Sequence, residues 1–250
     1  IMIAPLMTCS ARLPVYTLII AAFIPQTDVG PFGLQGIVMF ALYAAGIASA
    51  VVVAFVLKRT LTKGPPQALL MELPTYKAPD LRDFLTNLGA RAWAFLRRAG
   101  GVIFVVSVVL WFLVSYPESA HGIRGSFAGM LGGLIEPVLR PIGFNLEIAI
   151  ALVPGLAARE VAVGALGTVY ALQGNGEQSL GSTLQSSWSL PTALAFLAWY
   201  VYAPQCVATL AVAKRETNSW RWTAVIVVYL FVLAYVAAGI TYWTATRAGL

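Results

Sequence analysis

Apolar positions in this chain rarely fall on a single helical stripe and do not alternate as in a strand; they come in long runs. A helix needs about 20 largely apolar residues to cross the hydrocarbon core of a bilayer. Five runs reach or approach that length: 4–25, interrupted by Arg12; 32–57, free of charge; 100–116, which is short; 190–213; and 222–246. A sixth apolar region, 142–172, is interrupted by Glu147, Pro154, Gly155, Arg159 and Glu160. The pattern predicts an all-α fold, a polytopic membrane helical bundle with about five spanning helices.

One stretch reads differently. In "PDLRDFLTNLGARAWAFLRR", Leu81, Phe84, Leu85, Leu88, Ala92, Phe95 and Leu96 recur at helical spacing. Asp80 suits an N-cap, Asp83 the positive first turn, and Arg97 and Arg98 the negative end. This predicts an amphipathic helix lying on the inner membrane face and feeding the third span. The preceding "KGPPQALLMELPTYKAP" is proline-rich and extended. One membrane domain results, in three parts: 1–57, with two spans; 58–98, the cytoplasmic loop; and 99–250, with the remaining spans and the interrupted region.

Charge orients the spans. Lys58, Arg59, Lys63, Lys77, Arg82, Arg91, Arg97 and Arg98 all lie in 58–98, which should face the cytoplasm, as should Lys214, Arg215 and Arg221. The connections near Asp28 and at 173–189 hold no Lys or Arg and should face outward. Span three then ends outside and span four begins outside, so the region between must start and end on one side. A re-entrant broken helix pair with "VPGLA" at its break satisfies this, and such backbone is tolerated only where it is buried in protein or lines a polar cavity. The alternative is that 142–172 crosses once and the Lys214 loop lies outside.

Composition agrees. Hydrophobic residues make up 59% and charged residues 10%, against about 25% charged in soluble domains, and the mean hydropathy is +0.80. The net charge of +6 therefore reads as charge sorted to one membrane face, and no nucleic-acid partner is implied. Two cysteines make no disulfide framework. No signal peptide is visible, and a first residue of Ile suggests a piece of a longer protein. Trp188, Trp199, Trp220, Trp222 and Trp243 suit interfacial anchors, and His121 reads as a solvated loop residue.

There is no phosphate-binding loop, dinucleotide fingerprint, H-E-x-x-H or C-x-x-C, so nothing predicts an enzyme. The notable chemistry is polar groups at membrane depth. Arg12, Arg159 and Glu160 each carry an insertion cost of about 2.5–3.5 kcal/mol, and such residues mark pathways by default. Cys9 lies between Pro5 and Pro14 in "APLMTCSARLPVY", and Cys206 follows Pro204 in "YAPQCVATL". A proline frees the carbonyl one turn earlier. Thiolates, the Met7 thioether and freed carbonyls together can take a divalent transition metal. Equally, Cys9, Cys206 and Met7 can be packing residues, and Arg159 and Glu160 can pair with other side chains to hold the hairpin; spacing leaves both open.

The blocks "APLMTCSARLPVY", "LLMELPTYKAPDLRDFL", "FLRRAGGVIF", "GLAAREVAVGALGTVYAL" and "APQCVATLAVAKRETNSWRW" resemble, in order, the membrane domain of FeoB-type ferrous-iron transporters. The resemblance covers about residues 4–246. It implies two Gate motifs: the first matched in its second half by residues 4–16, the second by 155–170 together with 202–216. It implies uptake of ferrous iron across the bacterial cytoplasmic membrane, with Fe(II) as transported substrate. Cys9 and Cys206 would be metal ligands on the path, with Glu160 and Met7 beside them. Arg12, Pro14, Pro154, Gly155, Arg159 and Pro204 would be structural or gating residues. Family members carry an N-terminal GTPase domain, so GTP and Mg would belong to a part this chain lacks. Implied partners are membrane lipid, that GTPase domain, small cytosolic accessory proteins and a homo-oligomer, with Met71, Glu72, Pro74 and Tyr76 as a regulatory contact; a plain proline-rich linker is the alternative for that stretch.

Three departures stand out. Ser10 occupies a position where Gly is common, "PQC" carries one residue more than the frequent P-C form, and the earlier half of the first Gate motif is absent. Broken helices meeting at mid-membrane fit transporter architecture, and a transport site must hold its ion in exchangeable coordination. Two other classes remain: a Gate-type carrier for another divalent metal or an organic solute such as a nucleoside, and a binding or signalling module without transport.

Overall fold

The structure, a computed structural model, describes residues 2–7, 9–29, 32–60, 80–116, 125–157, 159, 161–170, 180–204 and 206–249. These are almost wholly helical; the exception is a two-residue antiparallel pairing of Asp28–Val29 with Phe32–Gly33. The helices are α1 (Leu13–Phe23), α2 (Leu34–Thr60), α3 (Leu81–Ser115), α4 (Phe127–Leu139), α5 (Leu146–Ala157), α6 (Val161–Tyr170), α7 (Leu180–Ser187), α8 (Leu190–Tyr202), α9 (Val207–Thr217) and α10 (Trp220–Arg247). Short 3-10 turns occupy Ala4–Leu6, Ser10–Arg12 and Arg140–Ile142.

Among the described residues, α2 and α10 are long and apolar enough to cross a membrane. At 1.5 Å per residue each is about 40 Å long. Their large apolar side chains point outward, among them Phe40, Val51, Phe55, Val228, Val232 and Ile240. Their inward faces carry small residues: Gly46 and Ala50 on α2, and Ala234 and Ala238, beyond Ile226 and Leu230, on α10. Small residues let helix backbones approach where no hydrophobic force drives association, as in lipid.

The two helices run antiparallel. Ala50 and Val53, late in α2, pack with Ile226 and Leu230, early in α10, while Val38 and Leu42 share a cluster with Ala234 and Ala238. The end of α2 (Lys58, Arg59), the end of α9 (Lys214, Arg215) and the start of α10 (Arg221) therefore gather at one end, here called the basic end. Arg59 lies 4.3 Å from the Phe55 ring centroid and Lys214 4.3 Å from that of Trp220. At the opposite end, Phe23 stacks on Trp188, Gln185 donates to the Ala22 carbonyl, Gln35 donates to the Ile24 carbonyl, and Thr192 donates to the Gly143 carbonyl. Gly143 has φ +81°, and a Cβ there would lie 2.1 Å from a ring carbon of Tyr242, so only glycine fits.

The α5 and α6 helices form a hairpin. Val169, late in α6, shares a cluster with Leu146 and Ile150, early in α5, and the Tyr170 hydroxyl lies among Trp188, Asn145 and Ser187. Both open ends are thus at the far end, and Arg159, between the two helices, reaches the α8 backbone toward the middle of the bundle.

Three expectations need correction. The amphipathic helix and the third span are one uninterrupted 35-residue helix. Asp80 caps it, accepting from the Arg82 amide at 3.0 Å. Gly100 and Gly101 cost about 1 kcal/mol each against Ala, which a long cooperative helix absorbs. The fourth expected span is not continuous: α8 ends at Tyr202 and α9 begins at Val207. Pro204 disfavours helical backbone in the residue before it, and Ala203 is extended at φ −60°, ψ 140°. The first expected span is likewise divided, with α1 starting only at Leu13. In addition, α4, an apolar helix with Met130, Leu134 and Val138 exposed, was hidden in the sequence by its glycines, Glu136 and Pro137.

Candidate functional site

The breaks in three segments lie at similar height. The α8 helix runs about 20 Å inward from the far end, and α1 and α6 each span about 15 Å between that end and their own starts. Each break places a chemically distinctive residue. Cys9 (φ −122°, ψ 160°) precedes the turn Ser10–Arg12 that leads into α1. Cys206 (φ −150°, ψ 100°) occupies the N-cap position of α9 without a side-chain capping bond. Arg159 sits at the hairpin tip, where its carbonyl accepts from the Ala162 amide at 3.2 Å.

The two cysteine-bearing segments run in opposite senses. From Cys9, α1 leads to the far end; from Cys206, α9 leads to the basic end. Both half-helices therefore turn their N-termini toward mid-height, as does α6. Helix N-termini carry about half a positive elementary charge each. Two guanidinium groups add to this field. Arg12 is 0% exposed and Arg159 4% exposed. Arg159 interacts electrostatically with Arg12, Tyr16 and both Cys9 and Cys206. The two cysteines, far apart in sequence, thus both lie within electrostatic range of Arg159.

The carbonyls freed at the breaks do not stand open. Arg159 donates from Nη1 to the Tyr200 carbonyl at 3.0 Å and from Nη2 to the Ala203 carbonyl at 2.8 Å. Tyr200 is four residues before Pro204, so its carbonyl is the one that proline deprives of a helical partner. Arg12 donates from Nη2 to the Pro5 carbonyl at 3.3 Å. Of these oxygens, that of Tyr200 is one a proline frees, and Arg159 is its donor. Pro14 also differs from expectation: it lies in the first turn of α1, where a missing N–H costs no hydrogen bond.

The other candidates are dispersed. Cys9 is exposed, Cys206 is half-buried, and both are free thiols. Met7 is 59% exposed. Gly155 is buried in α5; a Cβ there would lie 3.0 Å from the Tyr200 hydroxyl and 3.2 Å from the Ala162 Cβ. Pro154 lies in the same helix, and Pro204 is buried at the α8–α9 break. Glu160 and the stretch with Met71, Glu72, Pro74 and Tyr76 lie outside the described residues. Among the described residues no three His, Cys, Asp or Glu side chains cluster closely enough to cage a metal. An apolar groove of about 470 Å³ between α4, α5, α8 and α10 is lined by residues such as Leu152, Trp199 and Phe231 and offers no ligand set for a cation.

Two residues escaped the sequence reading. Tyr16 is 0% exposed and sits one helical turn after Arg12, and Tyr200 is 0% exposed beside Gly155. The signal for Tyr16 was its i, i+4 spacing from a membrane-depth arginine.

Comparison with known proteins decides the family. The Gate model, described as nucleoside recognition, matches residues 96–220, half of the chain. The chain belongs to the Gate family. The model of the ferrous iron transport protein B C terminus matches residues 39–91. The two matches lie one after the other along the chain. The protein named Fe(2+) transporter FeoB of Leptospira interrogans is 36% identical over 94% of this chain and 37% of its own length. That of Staphylococcus aureus is 37% identical over 97% of the chain and 35% of its own. That of Methanocaldococcus jannaschii is 36% identical over 95% and 36%. The chain thus spans little more than a third of these relatives. No solved structure matches it significantly.

Proposed function

We propose that this Gate protein is the permease part of a ferrous-iron uptake transporter in the bacterial cytoplasmic membrane, coupled to a GTPase domain elsewhere in the full-length chain. The observation that supports the reading is that Cys9 and Cys206 each stand at the start of a half-helix, at the breaks of two oppositely directed segments, with Arg159 bonded to the backbone of the second break. Discontinuous helices of this kind form the substrate sites of many transporters. The named relatives favour iron over an organic solute.

In this reading the basic end faces the cytoplasm, the α5–α6 hairpin is re-entrant from the outer face, and the remaining long and broken segments supply about five crossings. Cys9 and Cys206 act as successive or shared thiolate ligands, with Met7 and Glu160 beside them. Such a set makes an open, exchangeable site, which suits an ion that must leave again. Iron(II) is soft enough to accept thiolate and hard enough to accept carboxylate. The arginines hold the broken backbone, so the freed carbonyls stabilise structure and do not bind cargo. The stretch with Met71, Glu72, Pro74 and Tyr76 receives the GTPase domain at the basic end.

The test is radioactive iron uptake by the full-length protein with Cys9→Ser or Cys206→Ser at equal expression. Uptake is expected to fall about tenfold or more in each. Parental rates in both variants would remove the thiols from the path.

A further inference from the structure

Among the described residues, nothing accepts three of the donors that Arg12 and Tyr16 carry. Both residues are 0% exposed. Arg12 Nε and Nη1 and the Tyr16 hydroxyl have no hydrogen-bond partner, although Arg12 Nη2 reaches the Pro5 carbonyl. The two residues are four apart, so they rise on one face of the chain entering α1. Arg159 lies within electrostatic range of both, but its own Nη1 and Nη2 are committed to the Tyr200 and Ala203 carbonyls. It contributes charge to the spot.

Among the described residues the one ion pair is Arg215 with Glu216, both exposed on the surface, so neither buried arginine has a carboxylate partner there. The starts of α1, α6 and α9 add positive potential at the same level. A buried charged donor without an acceptor is among the costliest features a fold can keep. A water molecule can satisfy a lone N–H, and among the described residues no carboxylate offsets the two guanidinium charges. We propose that Arg12 Nε and Nη1 with the Tyr16 hydroxyl form a binding site for a small monovalent anion of chloride size. Full burial of both side chains selects a compact, readily desolvated ion. A bound anion would shield the cysteines from the two guanidinium groups, but the site stands whether or not iron is the cargo.

The test uses no iron. The purified protein in nanodiscs of zwitterionic lipid, which supply no anionic headgroup, is melted in chloride and in gluconate at a constant ionic strength of about 0.15 M. Chloride is expected to raise Tm by about 2–4 °C once it exceeds its Kd about tenfold, and to broaden the ³⁵Cl resonance. Arg12→Met should abolish both effects. Tyr16→Phe, which removes one donor and keeps the ring, should weaken chloride about tenfold and decides the matter if Arg12→Met does not fold. Equal melting in the two salts overturns the proposal, as it would if the Glu160 carboxylate already filled the site. A chloride response unchanged in either variant overturns it too.

Discussion

The two cysteine-bearing segments are built alike and finished differently. Each breaks next to a thiol, each turns a half-helix N-terminus toward mid-height, and each has a buried arginine at the break. The second segment is fully braced: Arg159 reaches across from the hairpin tip and closes two of its carbonyls at 3.0 and 2.8 Å. The first is held by one long bond of 3.3 Å from Arg12 to Pro5, with two more donor atoms unused. A buried charge can therefore serve two ends in one fold. Where its donors are matched it fixes backbone, and where they are not it is available to something else.

Substitutions can break that contrast. The largest effect is expected for Arg159→Met, which leaves two carbonyls without donors; denaturant unfolding should show a loss of about 3–5 kcal/mol, since hydrogen bonds to charged groups are worth about 1.5–3 kcal/mol each. Next comes Gly155→Val, which pushes on the hydroxyl end of the same Tyr200 whose carbonyl Arg159 holds. Tyr200 is fully buried and packs 4.7 Å from the Phe196 ring, so it cannot retreat, and overpacking should cost about 1–3 kcal/mol in the same assay. The smallest effect is expected for Arg12→Met in chloride-free medium, within about 1 kcal/mol, because an apolar side chain can replace an underpaired buried charge at little cost. If Arg12→Met proved as damaging as Arg159→Met, the two segments would be braced equally.

The sequence made the long elements legible because their signals are local. The uncharged run at 32–57 and the run at 222–246 correspond to α2 and α10, and Asp80 caps a helix as its position suggested. Breaks were harder. Pro204 marked a local disturbance, but whether a proline kinks a helix or ends it depends on what captures the freed carbonyl. That partner, Arg159, lies 41 residues earlier than the Tyr200 oxygen it binds. Pro14 carried the same letter with a different meaning, since only its place in the first turn of α1 makes it harmless. The amphipathic stretch was expected to feed the third span, but spacing could not show that the two form one unbroken helix. Candidate residues at the site were visible as expensive groups at membrane depth, yet spacing could not show which backbone oxygens the arginines would reach.

The uninterrupted α3 has a mechanical consequence. It is about 52 Å long, well beyond the hydrocarbon thickness of about 30 Å. Near its C-terminal end Leu113 packs against the cluster containing Ile150 of α5 and Val169 of α6, so that end rides on the hairpin that carries Arg159. A rod of this length pivoting by about 5° swings its other tip through some 4–5 Å, roughly one turn of helix. Slight rocking of the hairpin would therefore arrive at Leu81 as a stroke large enough to change what touches what, and a push at Leu81 would return to the hairpin scaled down to a fine adjustment.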